Sequence, residues 1–151
     1  MAVLLPEAYL TAIGKVCVQW SQLEAVTDIA IRKLAGFELL DSRATILTAH
    51  MSWPMRQDIL YSLVDQFRKD HPHLTRFDEL KPIYKKAQEG RNRVVHAAWA
   101  FEDGVVSTLR ATARGKLKPH IDPISVSDIE DISIAIGTAA AQTLKVLFNK
   151  Q

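Results

Sequence analysis

The chain has 151 residues, a hydrophobic share of 48% and a charged share of 24%. That is enough for one domain with an ordinary core, and it excludes a disordered or fibrous chain. A formal net charge of +2 is too small to point to a nucleic acid, so any such argument must rest on local charge.

The first helix is predicted from about Pro6 to Ala35, with Pro6 in its first turn and Gly36 at its end. Tyr9, Ile13, Val16, Trp20, Leu23, Thr27, Ala30 and Leu34 alternate in steps of four and three, which lays one stripe along one face. Such a rod is about 45 Å long, against a radius of gyration of about 15 Å for a compact chain of this length. It is expected to bend or to help bind a second copy. The single cysteine, Cys17, excludes an internal disulfide, fits a reducing cytoplasm and reads as a small buried hydrophobe. No apolar run approaches the ~20 residues of a membrane span, and Met1 to Pro6 lack the basic start of a signal peptide. The expectation is a cytoplasmic protein without a membrane partner.

A second helix is predicted over Ser42 to Met51 with Asp41 as N-cap. A third begins near Pro54 after Ser52, buries Leu60, Leu63, Val64 and Phe67, and ends at His71-Pro72-His73. The fourth carries the stripe Phe77, Leu80, Tyr84, Ala87, Arg91, Val95 and Ala98, with Pro82 either kinking it or marking a start at Lys81. Arg91 thus falls on the inner face. After Trp99 the period drops to about two. Asp103-Gly104 followed by Val105 to Leu109 predicts a β-hairpin near residues 98–111. Ser127 and Glu130 read as a capping box for a fifth helix, Asp128 to about Asn149. Its inner stripe is Ile129, Ile132, Ile136, Ala139 or Ala140, Thr143 and Leu147. The predicted fold is a single all-α bundle of about five helices with a hairpin insertion.

The concentrated chemical signal is Arg91-Asn92-Arg93-Val94-Val95-His96. Asn92 and His96 are four apart and stack on one side of a helix. Arg91 lies about 140° from His96 on a helical wheel, yet its long arm reaches the space before the imidazole. This set suits RNA phosphodiester cleavage without a metal. A histidine takes the 2′-hydroxyl proton or gives one to the leaving 5′-oxygen. An arginine stabilises the charge that grows on the phosphoryl oxygens. Asn92 holds the imidazole tautomer or a phosphate oxygen.

The segment resembles the R-x4-H motif of the HEPN superfamily, in which a polar residue commonly follows the arginine. The run His96-Ala97-Ala98-Trp99, and Trp20-Ser21-Gln22-Leu23-Glu24 on the first helix, are similar to stretches in bacterial members. The resemblance implies a small helical bundle, often dimeric. It implies a metal-independent ribonuclease of toxin–antitoxin, phage-defence or RNA-processing type, with Arg91 and His96 catalytic and Trp99 in support. Two copies of the fourth helix would face each other, and a cognate antitoxin or other partner protein would be conceivable. The alternative is a non-catalytic module of the same fold that binds a nucleotide, RNA or protein. A third reading makes Arg91 and His96 internally satisfied parts of a structural bundle.

Other residues complete the set of candidates. Glu24 borders the inner stripe, and its carboxylate would orient Arg91 or His96 if the first and fourth helices pack. Gly90 allows a close approach of another helix. Between Gly104 and Ile121 there is no acidic residue. Arg110, Arg114, Lys116 and Lys118, lying there with His120, form either a solvated loop or an arm for RNA phosphates, with Arg93 as a further phosphate contact. His50, His71, His73 and His120 show no metal spacing, and no cofactor is expected.

Overall fold

The computed structural model describes residues 4–113 and 115–148. Five α-helices run in the order α1 (Glu7–Leu34), α2 (Ser42–Thr48), α3 (Trp53–Phe67), α4 (Lys81–Val95) and α5 (Val126–Phe148). A 3-10 segment, Pro72–Leu80, precedes α4. Strands β1 (Ala98–Glu102), β2 (Val105–Ala113) and β3 (Leu117–Pro123) separate α4 from α5. The protein is therefore mostly helical, as expected, but not all-α.

The helix boundaries follow local chemistry. Pro6 precedes α1, and Gly36, at φ 78°, closes it. The Phe37 N–H donates to the Arg32 carbonyl at 2.9 Å and the Gly36 N–H to Lys33 at 3.2 Å, the paired bonds of a Schellman ending. Asp41 accepts from the Arg43 N–H at the start of α2, and Ser52 from the Met55 N–H at the start of α3. α4 starts at Lys81, because Pro82 fits a first turn but not a helix interior. The predicted Ser127–Glu130 box is replaced by Ser125 and Asp128. The Ser125 hydroxyl accepts from the Asp128 N–H at 3.1 Å, and Asp128 accepts from the Ser125 N–H at 2.8 Å. The Ser125 N–H and the Ser125 hydroxyl, which donates to the Asp128 carboxylate at 2.7 Å, with Arg93 nearby, hold the Asp128 carboxyl below the usual carboxylate range. Asn149, the expected end of α5, lies outside the described residues.

The core forms where α1 packs on α5, with α3, α4 and the 3-10 segment closing around them. Val16, Trp20, Leu23, Thr27 and Ala30 of the predicted α1 stripe are buried, joined by Ala12 and Ile31; Tyr9, Ile13 and Leu34 are half-buried. Cys17 is exposed rather than buried. It follows buried Val16 by about 100° around the helix, which turns it away from α5. Along α4 the buried stripe is Tyr84, Ala87 and Val94, not Val95. The step after Arg91 is three, which keeps Arg91 on the same face. α5 is long and apolar enough to cross a membrane by composition alone, at a mean hydropathy of 1.2. Its face of Ile129, Ile136, Ala139, Thr143 and Leu147 is buried in the bundle.

Two contacts fix α4 against α5. Thr143 donates its one hydroxyl proton to the Ala139 carbonyl at 2.7 Å, so the Tyr84 hydroxyl, 2.6 Å away, is the donor to Thr143. Burial pushes the Tyr84 phenol up to about 12. Tyr84→Phe is expected to cost about 1 kcal/mol, read as a melting temperature lower by about 2–4 °C. Gly90 lies against Ile132: a Cβ there would stand 2.9 Å from Ile132 Cγ2. The expected close helix approach is made by the chain's own α5. Gly90→Ala gains helix propensity of up to about 1 kcal/mol but overpacks a β-branched side chain, which costs about 1–3 kcal/mol. A net loss on thermal unfolding is the expected result.

β1 and β2 form the expected hairpin around Asp103 and Gly104, whose φ values of 49° and 78° suit a two-residue turn. The antiparallel sheet continues to β3, so the stretch expected as a basic loop or arm is in part a strand. β2 is central and β1 and β3 are edges. β1 begins at Ala98 opposite Leu109, so β2 beyond Leu109 pairs only with β3.

Candidate functional site

The motif occupies the last turn of α4 and the residue after it. His96 is the C-cap, at φ −105° and ψ 1°, and its N–H donates to the Asn92 carbonyl at 3.3 Å. Leaving helical geometry here swings the imidazole from its place on the helical wheel. The Trp99 indole N–H donates to the Val94 carbonyl at 3.2 Å, filling one of the acceptors that a helix end leaves open. Trp99 thus fixes the turn that carries His96.

Arg91 is half-buried. Its guanidinium carbon stands 5.3 Å from the centroid of the Trp20 ring. Trp20 is itself buried and meets Trp53 at 4.7 Å between ring centroids; Trp53 meets Tyr84 edge-on at 5.7 Å. This aromatic stack is a rigid floor under the arginine. Arg91 Nη1 donates to Asn92 Oδ1 at 3.1 Å and contacts His96 Nε2. A guanidinium has donors only, so in this contact Nε2 is the acceptor. Among the described residues no carboxylate forms an ion pair with Arg91, nor with Arg32, Arg76 or Arg93, whereas Arg43, Arg56, Arg68 and Arg110 each have one.

His96 is exposed and opens on a groove of about 560 Å³. The groove is lined by Asn92 and His96, by Ala98 of β1, by Leu109 to Thr112 of β2, and by His120 of β3. It exists because β1 starts late and leaves that end of β2 uncovered on the α4 side. The Arg91 and His96 polar ends are thus paired with each other but not enclosed, as a purely structural role would require.

The other candidates are distributed as follows. Glu24 faces Arg56 at 3.5 Å, not Arg91 or His96. Arg56 is nearly buried between α1 and α3, where it also bonds Asp28 at 2.8 Å and contacts the Met51 carbonyl, and it draws Glu24 away from the motif. Arg93 turns toward the Pro123 carbonyl at 3.4 Å and lines a second groove with Lys86, Glu89 and Asp131. Arg110 borders both grooves and pairs with Asp122 at 3.0 Å. Lys116 and Lys118 are exposed toward the β2–β3 turn, and Lys118 lies opposite Thr112. Arg114 lies outside the described residues. Two further residues, Arg56 and His120, contribute without a distinctive sequence signal. Arg56 resembles any polar-face residue of an amphipathic helix. His120 was weighed only as a metal ligand and arm residue, although Lys118, His120 and Asp122 alternate as a strand requires.

Among the described residues no three His, Cys, Asp or Glu side chains gather to hold a metal ion. What the site offers is an arginine without a counter-charge among the described residues, a histidine whose ring nitrogen accepts from it, an asparagine, and an open groove. The chain matches no family model, no curated protein and no solved structure, so the likeness to the R-x4-H motif rests on residues 91–99 and 20–24 alone.

Proposed function

We propose that the protein is a metal-independent endoribonuclease of HEPN type, with Arg91 and His96 as its catalytic pair. The observation that carries the reading is the Arg91 guanidinium. It is held over an aromatic floor and by Asn92 and His96, unmatched by any carboxylate among the described residues, and it contacts the histidine that lines a groove. A guanidinium with no carboxylate partner keeps donors available to an anion, and a phosphate oxygen pair matches its fork. An RNA phosphate entering beside His96 draws the guanidinium fork onto its oxygens. That frees His96 Nε2 to take the 2′-hydroxyl proton. The 2′-oxygen attacks phosphorus, the bond to the 5′-oxygen breaks, and Arg91 stabilises the charge on the phosphoryl oxygens.

Lys116 and Lys118, exposed toward the β2–β3 turn and without an ion pair among the described residues, offer positive charge to a phosphate backbone, whereas Arg110 is neutralised by Asp122. A homodimer paired along α4, and a cognate protein that restrains the activity as in toxin–antitoxin pairs, belong to the same proposal. Light scattering reads the first and co-purification from the native host reads the second. The test of function is incubation of the purified protein with total cellular RNA in EDTA. Wild type is expected to cut it and His96→Ala to leave it intact. RNA bound with a clear salt dependence but never cut would put the binding-module reading in its place.

A further inference from the structure

Cleavage of this kind needs two proton transfers, and His96 accounts for one. We propose that His120 is the second group, the acid that protonates the leaving 5′-oxygen, so that one chain holds the complete acid–base pair. This inference rests on the ribonuclease reading of Arg91 and His96.

The geometry begins with the sheet. β3 pairs with β2 so that His120 lies directly opposite Arg110, on the same face of the sheet. Arg110 and His120 line the groove onto which His96 opens from the end of α4. The two imidazoles therefore reach one cavity from different elements, as a substrate lying between an acid and a base requires. Arg110 is fixed by Asp122, which lies on the same sheet face two residues beyond His120. That pair settles the charge beside His120 without occupying its ring. His120 is exposed and makes no hydrogen bond or ion pair among the described residues, which leaves its nitrogens open to the groove.

The step balances. His96 Nε2 gains the 2′-hydroxyl proton as the 2′-oxygen bonds to phosphorus. The P–O5′ bond breaks, and protonated His120 gives its proton to the departing oxygen. The products are a 2′,3′-cyclic phosphate and a free 5′-hydroxyl, and solvent restores both histidines to their starting states.

A short RNA with sulfur in place of the bridging 5′-oxygen at the cleaved bond isolates this role, because a thiolate leaves without being protonated. On the ordinary oxygen substrate His120→Ala is expected to lose about 10²–10⁴-fold in rate. On the sulfur substrate it is expected to recover most of the wild-type rate, while His96→Ala stays inactive on both. His120→Gln is expected to behave like His120→Ala, and both variants to keep the wild-type melting temperature. Wild-type cleavage with an unimpaired His120→Ala would overturn this inference and leave the ribonuclease reading standing. Equal loss on oxygen and sulfur would also overturn it, since a positioning role does not distinguish the leaving groups. Activity recovered by mixing His96→Ala with His120→Ala protein would place the acid across a subunit interface and refute the single-chain site. No cleavage by wild type of either substrate would remove both readings together.

Discussion

His96→Ala and Arg91→Ala are each expected to reduce RNA cleavage by about 10²–10⁴-fold, with the fold retained in both. His96 is exposed and contributes little packing, so its removal acts on the proton transfer. Arg91 contributes more to the fold through its place over Trp20, a contact worth about 0.5–2 kcal/mol. The melting temperature of Arg91→Ala is therefore expected to fall by only a few degrees. Arg91→Lys keeps the charge but not the planar fork, and is expected to restore little of the rate. A structural role for the arginine predicts the reverse: a large loss of thermal stability in Arg91→Ala, and no RNA cleavage to lose in wild type.

The largest expected effect on stability is at Arg56. Its guanidinium bridges Glu24 and Asp28 of α1 and contacts the Met51 carbonyl just before α3. The Arg56 side chain is 11% exposed and that of Asp28 18%. Removing one partner of a fully buried pair costs about 3–5 kcal/mol, because the remaining charge is stranded. Partial solvation of Asp28 and Glu24 reduces that, so Arg56→Ala is expected to cost about 2–4 kcal/mol and to lower the melting temperature by about 5–12 °C. Adding Asp28→Ala is expected to recover part of the loss, since it deletes the stranded charge; thermal unfolding of the single and double variants measures the coupling. The effect also reaches the site. Arg56 ties α3 to α1 one helical turn from Trp53, and Trp53 supports the Trp20 ring under Arg91.

Much of this arrangement can be read from spacing. The three-and-four steps in α1 place Val16, Trp20 and Leu23 in the core, and Asp103-Gly104 marks the hairpin turn. Arg91 on an apolar stripe is half-buried, as its position demands. What escaped has physical reasons. β3 is an edge strand exposed along nearly its whole length, so it carries no hydrophobic alternation. Its Pro119 and Pro123 resemble loop punctuation although an edge strand tolerates them. Without β3, His120 has no place beside the groove. Glu24 was assigned to the motif because it follows Trp20 by one helical turn, but a wheel shows which residues share a face and not which cation arrives there. Arg56 comes from α3 and takes it. The long Arg91 arm meets the imidazole as its length allows, and the departure of His96 from helical geometry shifts the ring from its place on a regular wheel.

If Arg91 and His96 cut RNA through the ribose hydroxyl without a metal, the ends of the product carry the signature of that chemistry. The most direct measurement is end analysis of a defined RNA oligonucleotide after incubation with the purified protein in EDTA. Wild type is expected to leave 2′,3′-cyclic phosphate ends and 5′-hydroxyl ends, and His96→Ala to leave neither. Cleavage abolished by EDTA, or the same ends from His96→Ala in undiminished yield, would contradict it.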